Sequence, residues 1–344
     1  MKSRGFGESM PQPSIDREDP MFGSHLSIAG SMVNALHEAE KLGLDTVQVF
    51  TKNQQQWKAK PLDSAMVQEW CREIKRLGWG DRVVSHASYL INLASCDDEL
   101  WAKSIDLMTD EIERCETLGI AFLVHHPGSH VKWTLEEGIG RITLAYRELF
   151  RRTKGAKVIS CLEGTVGAGS TIGGPFEQLA LLREGIIEQT AQPDRIGFCL
   201  DSCHMHAFGY DMSTQPSAEH ALQSFDRICG MQNLKVWHIN DSKGKLASRL
   251  DRHQHIGEGW IGGGAKAHTG EGVFDSKTLA SSGFASIVNH SAAVRIPKIM
   301  ETPKDDRDTD EPSDVINLRR LKSLIRLDEG RKAAVKSRRK GANI

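Results

Sequence analysis

The sequence predicts an α/β fold, a (β/α)8 TIM barrel, from three observations. Eight short runs rich in β-branched and apolar residues recur along the chain, and helical stripes stand between them. Six acidic or imidazole side chains fall at the ends of those runs at near-constant spacing. Runs this short cannot be helices, and those apolar throughout read as strands covered on both faces.

The runs are FGSHLSI from Phe22, DTVQVF from Asp45, RVVSHA from Arg82, AFLVHH from Ala121, KVISCLE from Lys157, RIGFCLD from Arg195, KVWHIND from Lys235 and RIPKIME from Arg295. Among the helical segments, Leu135, Ile139, Ile142, Tyr146 and Leu149 step by four, three, four and three to give one apolar stripe. Thr134 and Glu137 make a capping box in front of it. Ile105, Met108, Ile112 and Cys115 form a second stripe; Leu222, Phe225 and Cys229 form a third, which Gly230 should end.

Strands alternating with helices also allow a doubly wound open sheet. The spacing of the reactive residues favours the barrel. His86, His126, Glu163, Asp201, His238 and Glu301 lie at successive strand ends, 37 to 40 residues apart except for the last gap of 63. Strand ends converge on one face only if the strands close into a ring, and in barrels that face carries the active site.

The longer last gap marks an insertion at about residues 262–281, rich in Gly and small polar residues and expected as a surface excursion. The barrel should span residues 21–328. An N-terminal tail of residues 1–20 mixes Pro, Gly and charge, and a basic tail of residues 329–344 reads as solvated. GTVGAGSTIGG from Gly164 lacks the spacing of a phosphate-binding glycine loop and reads as the loop after the fifth strand.

Lys and Arg total 44 against 45 Asp and Glu, so any affinity for nucleic acid must come from a local basic face. Seven Cys without a CxxC pair do not build a disulfide framework; they read as reduced thiols, with Cys161, Cys199 and Cys203 in or near the core. With neither a signal-peptide pattern nor a membrane-length apolar run, a soluble cytoplasmic protein is expected.

Singly, each strand-end residue has an ordinary explanation, since buried His is usually hydrogen-bonded and a strand-end Asp often caps the next helix. Jointly they point to metal binding. Asp201-Ser202-Cys203-His204 sets an imidazole one helical turn beyond a carboxylate, and Asp251-Arg252-His253 sets two more groups at i, i+2 after the seventh strand. The candidate ligands are then His86, His126, His204, His238 and His253 with Glu163, Asp201, Asp251 and Glu301. Nine groups exceed one four-coordinate ion and suit two or three ions sharing a carboxylate. Mixed imidazole and carboxylate ligation fits Zn2+ best and admits Mn2+.

GFCLDSCHMHAFGYD from Gly197 and HINDSKGKLASRLDRHQHIGEGWIG from His238 resemble two signature segments of the endonuclease IV family of apurinic/apyrimidinic endonucleases. HASYLINLAS from His86, HPGSH from His126 and LEGTVGAGS from Leu162 match the family as well, and the resemblance runs from about Gly23 to Glu301, insertion excluded. It implies a barrel with a trinuclear metal site at its C-terminal face, usually of zinc. His86, His126 and Glu163 would hold the first ion. Glu163, the central catalytic residue, would bridge to a second held by Asp201, His238 and Glu301; His204, Asp251 and His253 would hold the third.

The implied reaction is hydrolysis of the phosphodiester bond 5′ to an abasic site in double-stranded DNA, with trimming of blocked 3′ ends, by a monomer. Tyr89 matches a DNA-contact position. Gln55 stands where the family commonly has Arg, in a loop that enters the base stack, which changes a planar cation to a neutral amide. Gly164 stands where many relatives have Asn. Lys243, Arg249 and Arg252 are expected to meet phosphates. His125, unusual beside His126, should face away from the metals because neighbouring strand residues alternate. Two other readings compete: a metal-dependent sugar isomerase or epimerase on the same scaffold, for which His204, Asp251 and His253 would be surplus, and a non-catalytic DNA-binding or scaffold protein.

Overall fold

A computed structural model of the chain describes residues 19–263, 274–304 and 310–326. Both tails, apart from Asp19 and Pro20, and residues 264–273 of the insertion lie outside the described residues.

Eight parallel strands close into a barrel: β1 (Phe22–His25), β2 (Thr46–Val49), β3 (Val84–His86), β4 (Phe122–His125), β5 (Ile159–Glu163), β6 (Ile196–Asp201), β7 (Leu234–His238) and β10 (Lys298–Met300). Each lies in one of the eight runs, β7 starting one residue early at Leu234. Two further short strands, β8 (Asp241–Ser242) and β9 (His253–Gln254), pair antiparallel in the loop after β7. The ring shuts where β1 pairs with β10, Gly23 opposite Ile299. A Cβ at Gly23 would come within 2.7 Å of the Thr46 carbonyl oxygen and 2.9 Å of Ile299 Cδ1, so the closure requires glycine there.

The helices on the outside are α1 (Met32–Lys41), α2 (Ser64–Leu77), α3 (Asp98–Leu118), α4 (Leu135–Arg152), α5 (Phe176–Thr190), α6 (Ser202–Phe208), α7 (Gln215–Cys229), α8 (Ser276–Ser281), α9 (Gly283–Asn289) and α10 (Ser313–Lys322). The Thr134–Glu137 capping box forms at the start of α4, and Gly230 ends α7. In α3, the Asp97 carboxylate accepts from Leu100 N while Asp98 and Glu99 meet the positive end of the helix dipole.

Two apolar clusters fill the molecule. The larger lies between strands and helices. The smaller contains Val84, Val124, Cys161, Cys199, Val236 and Ile299, one from each of β3 to β7 and β10, and plugs the barrel interior. Side chains on a strand alternate, so the residues two positions further on face the same interior at its C-terminal mouth. Those residues are His86, His126, Glu163, Asp201, His238 and Glu301.

The described part of the insertion is anchored to the barrel at one point. Within it, α8 buries Leu279 completely, and the Phe274 ring lies 4.1 Å from the Arg320 guanidinium. Leu279 joins the larger apolar cluster. All seven cysteines are free, with Cys161, Cys199 and Cys203 buried as expected.

Candidate metal centre

The nine groups singled out in the sequence meet at this mouth. The Glu163 carboxylate stands at their centre and is 1 % exposed. Its Oε2 lies 3.2 Å from His86 Nε2 and 3.3 Å from His126 Nε2, and its Oε1 lies 2.9 Å from His238 Nδ1. The Glu301 Oε2 is 3.2 Å and the Asp201 Oδ2 4.0 Å from that same His238 nitrogen. Beyond them, His204 Nε2 lies 3.2 Å and His253 Nε2 3.6 Å from Asp251 Oδ1, while His253 Nε2 is 3.5 Å from Asp201 Oδ2.

Potential ligand atoms fall into three overlapping groups of metal-binding size: His86, His126 and Glu163; Glu163, Asp201, His238 and Glu301; and Asp201, His204 and His253. Two carboxylates therefore stand between groups, Glu163 and also Asp201, whereas the sequence pointed only to Glu163. Cys199 Sγ also lies near Glu163 and His238. Burial pushes its thiol well above the ordinary range, which suits its place in the apolar plug.

Second hydrogen bonds aim the rings. His86 Nδ1 donates to the Ala87 carbonyl at 2.7 Å, His204 Nδ1 to Gly164 at 2.9 Å, and His253 Nδ1 to Glu301 at 3.1 Å. His238 donates from Nε2 to Gln48 Oε1 at 2.8 Å. In each ring the remaining nitrogen is turned to the carboxylates, the arrangement metal-bound histidines need. Asp201 is held by the amides of Cys203 and His204 through Oδ1 and by Asn240 Nδ2 through Oδ2. His125 faces the other way, 2.6 Å from the Tyr146 hydroxyl.

The donor set fits divalent cations on chemical grounds. Burial alone would push the carboxylates up and the imidazoles down, but proximity reverses both. Against its burial, the charges of His238 and His126 hold Glu163 well below the usual carboxylate range. Against theirs, Glu301 and Glu163 raise His238 to about 9, and Asp201 with Asp251 raises His204 well above the ordinary value. Asp251 is held down to about 2 by His204, against its own burial. Protons on the imidazoles thus balance clustered carboxylates, a task cations perform when bound. The Nε2 atoms of His204 and His253 are buried and have no hydrogen-bond partner among the described residues.

Residues 36–266 match the family model described as xylose isomerase-like TIM barrel. The chain is 38 % identical over 308 residues to the probable endonuclease 4 of Chloroflexus aggregans, spanning 90 % of this chain and 99 % of that protein. The chain belongs to the endonuclease IV family. Endonuclease IV from Thermus thermophilus superposes with a TM-score of 0.72 at 31 % identity, covering 89 % of this chain and 98 % of that one. A D-tagatose 3-epimerase-like protein, with a TM-score of 0.62 at 18 % identity and coverages of 88 % and 96 %, shares the fold alone.

Around the endonuclease IV centre lie the residues expected to meet DNA. Tyr89 is 59 % exposed, with its ring centroid 5.0 Å from that of His86 and 6.0 Å from that of His126. It borders a cavity of about 290 Å³ that also reaches Asn92, Ser129, Thr171, His204 and Asp251. Gln55 is exposed at the tip of the loop after β2, its backbone N–H donating to Asn53 Oδ1. Lys243, Arg249 and Arg252 are exposed on the loop joining β8 to β9. Arg249 is fixed: its guanidinium lies 3.9 Å from the Phe208 ring centroid and donates to the Val166 carbonyl. Ala247 and Arg249 both hold positive φ, 60° and 58°, so this loop carries backbone strain beside the site. Lys245 shares its exposed surface and was missed in the sequence, although it stands in the same basic stretch.

Two groups near the centre also escaped the sequence reading. Gln48 and His25 complete the ring of inward-facing side chains on β2 and β1. Their signal was a polar residue interrupting an apolar strand.

Proposed function

We propose that this chain is a metal-dependent DNA-repair endonuclease that hydrolyses the phosphodiester bond on the 5′ side of an abasic site. The products are a 3′-hydroxyl and a 5′-deoxyribose phosphate, and the same site trims blocked 3′ ends. The observation that carries this reading is the meeting of five imidazoles and four carboxylates in one mouth, with Glu163 within 3.5 Å of four of the rings. No described helix is long and apolar enough to cross a membrane.

His86, His126 and Glu163 would hold one ion; Glu163, Asp201, His238 and Glu301 a second; and His204, Asp251 and His253 a third, with Asp201 beside it. Zn2+ suits these nitrogen and oxygen donors, and Mn2+ is admissible. Such ions, when bound, supply Lewis acidity, lowering the pKa of water and neutralising charge on phosphate. The protein's own part is positioning. Glu163 spans the first two groups with its two oxygens, and Asp201, pinned by three donors, spans the second and third. Tyr89, Gln55, Lys243, Arg249 and Arg252 would hold double-stranded DNA by its backbone and at the lesion. The abasic nucleotide must leave the stack to reach so recessed a site, and a missing base makes that extrusion easier.

Incubation with an abasic-site oligonucleotide, with and without chelator, tests the reading. Incision 5′ to the lesion that vanishes with chelator is expected. Absence of metal-dependent incision refutes it. A sugar epimerase would leave the His204–Asp251–His253 group without a task, so retention of about three ions per chain after dialysis also separates the two.

A further inference from the structure

Eight strands deliver eight inward-facing side chains to the barrel mouth, and six of them are the strand-end groups already described. The seventh and eighth, Gln48 on β2 and His25 on β1, lie beside each other at the mouth and meet the side chains of His238 and Glu301. Gln48 is completely buried. Its carbonyl Oε1 accepts from His238 Nε2 at 2.8 Å, while its Nε2 donates to Glu301 Oε1 at 2.7 Å and to His25 Nδ1 at 2.9 Å. His25 Nδ1 is in turn 3.4 Å from Glu301 Oε1, and its ring packs 4.4 Å from that of Phe50.

We propose that Gln48 is a positioning residue of the metal centre: one amide fixes both the ring of His238 and the carboxyl of Glu301, and so sets the affinity for the divalent cation taken by the Glu163–Asp201–His238–Glu301 group. This rests on the metal-dependent reading above. An amide is the side chain that serves. Its oxygen can only accept, so His238 must carry a hydrogen on Nε2, and Nδ1, which faces Glu163 and Glu301, is the nitrogen that gives up its proton to a cation. Its NH2 can only donate, so it engages one oxygen of Glu301 and leaves the other, Oε2, turned to His238 Nδ1 at 3.2 Å. A carboxylate at this position would repel Glu301, and an apolar residue would leave the His238 N–H buried without an acceptor. The residue that aims these two side chains lies on β2, which supplies none of the nine expected ligands.

The test uses the full chain and zinc alone. Gln48→Met keeps the volume and removes both hydrogen bonds. Gln48→Asn keeps the amide but withdraws it by one C–C bond, about 1.5 Å, out of reach of both partners. Competition against a chromogenic zinc chelator should show one equivalent of Zn2+ weakened about 10–100-fold in each variant. The remaining equivalents should bind as tightly as in the parent. In the zinc-loaded parent, the imidazole Nε2 proton of His238 should be visible by NMR and slow to exchange; in both variants it should be lost to solvent. If Gln48→Met fails to fold, Gln48→Asn alone decides the matter. Zinc affinities within about twofold of the parent, or an unchanged His238 proton, overturn the assignment of Gln48. A parent chain that takes up no zinc overturns the metal reading itself, and the two failures are therefore distinguishable.

Discussion

The Nδ1 atom of His238 lies 2.9 Å from Oε1 of Glu163, and both side chains are buried. In the metal-free protein that contact, with Glu301, outweighs burial and raises the imidazole to about 9. His204 is raised as well, by Asp201 and Asp251 against its own burial. Both rings therefore carry protons at neutral pH that must leave before their site-facing nitrogens can take a cation. Zinc binding should release protons near neutrality, and apparent affinity should rise with pH up to about 9, by about tenfold per unit for each proton displaced. Chelator competition at about pH 6 and about pH 8 measures it, and equal affinity at both would refute the argument.

Removing the shared carboxylate should be far more costly than removing any one ring. Glu163→Gln keeps the shape and the volume but deletes the charge toward which His86, His126 and His238 turn. Loss on the order of 10³-fold in kcat/KM is expected, about 4 kcal/mol of transition-state stabilisation. Single-turnover incision of an abasic oligonucleotide reads it. Activity within about tenfold of the parent would place the chemistry elsewhere.

The legible parts of this molecule are those whose physics is local. Strands buried on both faces must be apolar, so β4 and β7 announce themselves, and polar residues at their ends stand out. The Thr134–Glu137 cap is complete within four residues. Gln48 could not be read in the same way, because its partners His238 and Glu301 lie 190 and 253 residues away and only ring closure brings them together. Asp241 is a second case. Its buried carboxylate accepts from the backbone amides of Gly257, Ile261 and Gly262, fixing the loop beyond β9, yet in sequence it is one more Asp after a strand. The packing of α8 was hidden because one buried Leu279 in a polar segment gives no periodicity.

Glu111 joins the two loops that present Gln55 and Tyr89. Its Oε2 accepts from Thr51 Oγ1 at 2.7 Å and its Oε1 from Ser88 N at 3.3 Å, with buried Lys52 Nζ 3.7 Å away. Ser88 Oγ in turn donates to the Gln54 carbonyl. Glu111→Ala should cost about 3 kcal/mol of stability, the usual result of breaking a buried charged contact. It should also raise KM for abasic DNA more than it lowers kcat, since the loops lose their spacing while the metal centre is untouched. A change confined to kcat would refute this role.

Lys298 gives a second pH effect, on stability rather than on metal affinity. Burial pushes its ammonium down to about 7, although the carbonyls of Ala293, Val294 and Ile296 accept from it. Between that value and the unfolded value of 10.5 the unfolded chain binds more protons, so this group's contribution to stability rises with pH across that window. The stability of the parent relative to Lys298→Met should therefore improve as pH is raised through it, by up to a few kcal/mol, at roughly 1.4 kcal/mol for each pH step between the folded and unfolded values. Denaturant melts of both proteins at matched pH cancel the titration of the metal centre. A difference independent of pH would mean the three carbonyls hold the ammonium at its ordinary value.

Gln55, at a position where the resemblance to endonuclease IV leads one to expect Arg, is exposed. Its backbone is set by the Asn53 carboxamide rather than by its own side chain, so substitution should not disturb the loop. Gln55→Arg adds a planar cation able to meet phosphate with two parallel hydrogen bonds. One new phosphate contact displaces about one counterion, steepening the dependence of log K on log salt by about 0.9. Affinity for abasic duplex should therefore rise most at low salt, and the gain should fade as salt increases. Titration of a labelled abasic duplex under chelator, where binding proceeds without incision, measures both quantities. An unchanged salt slope would place Gln55 away from the backbone, leaving Lys243, Arg249 and Arg252 as the phosphate-facing groups.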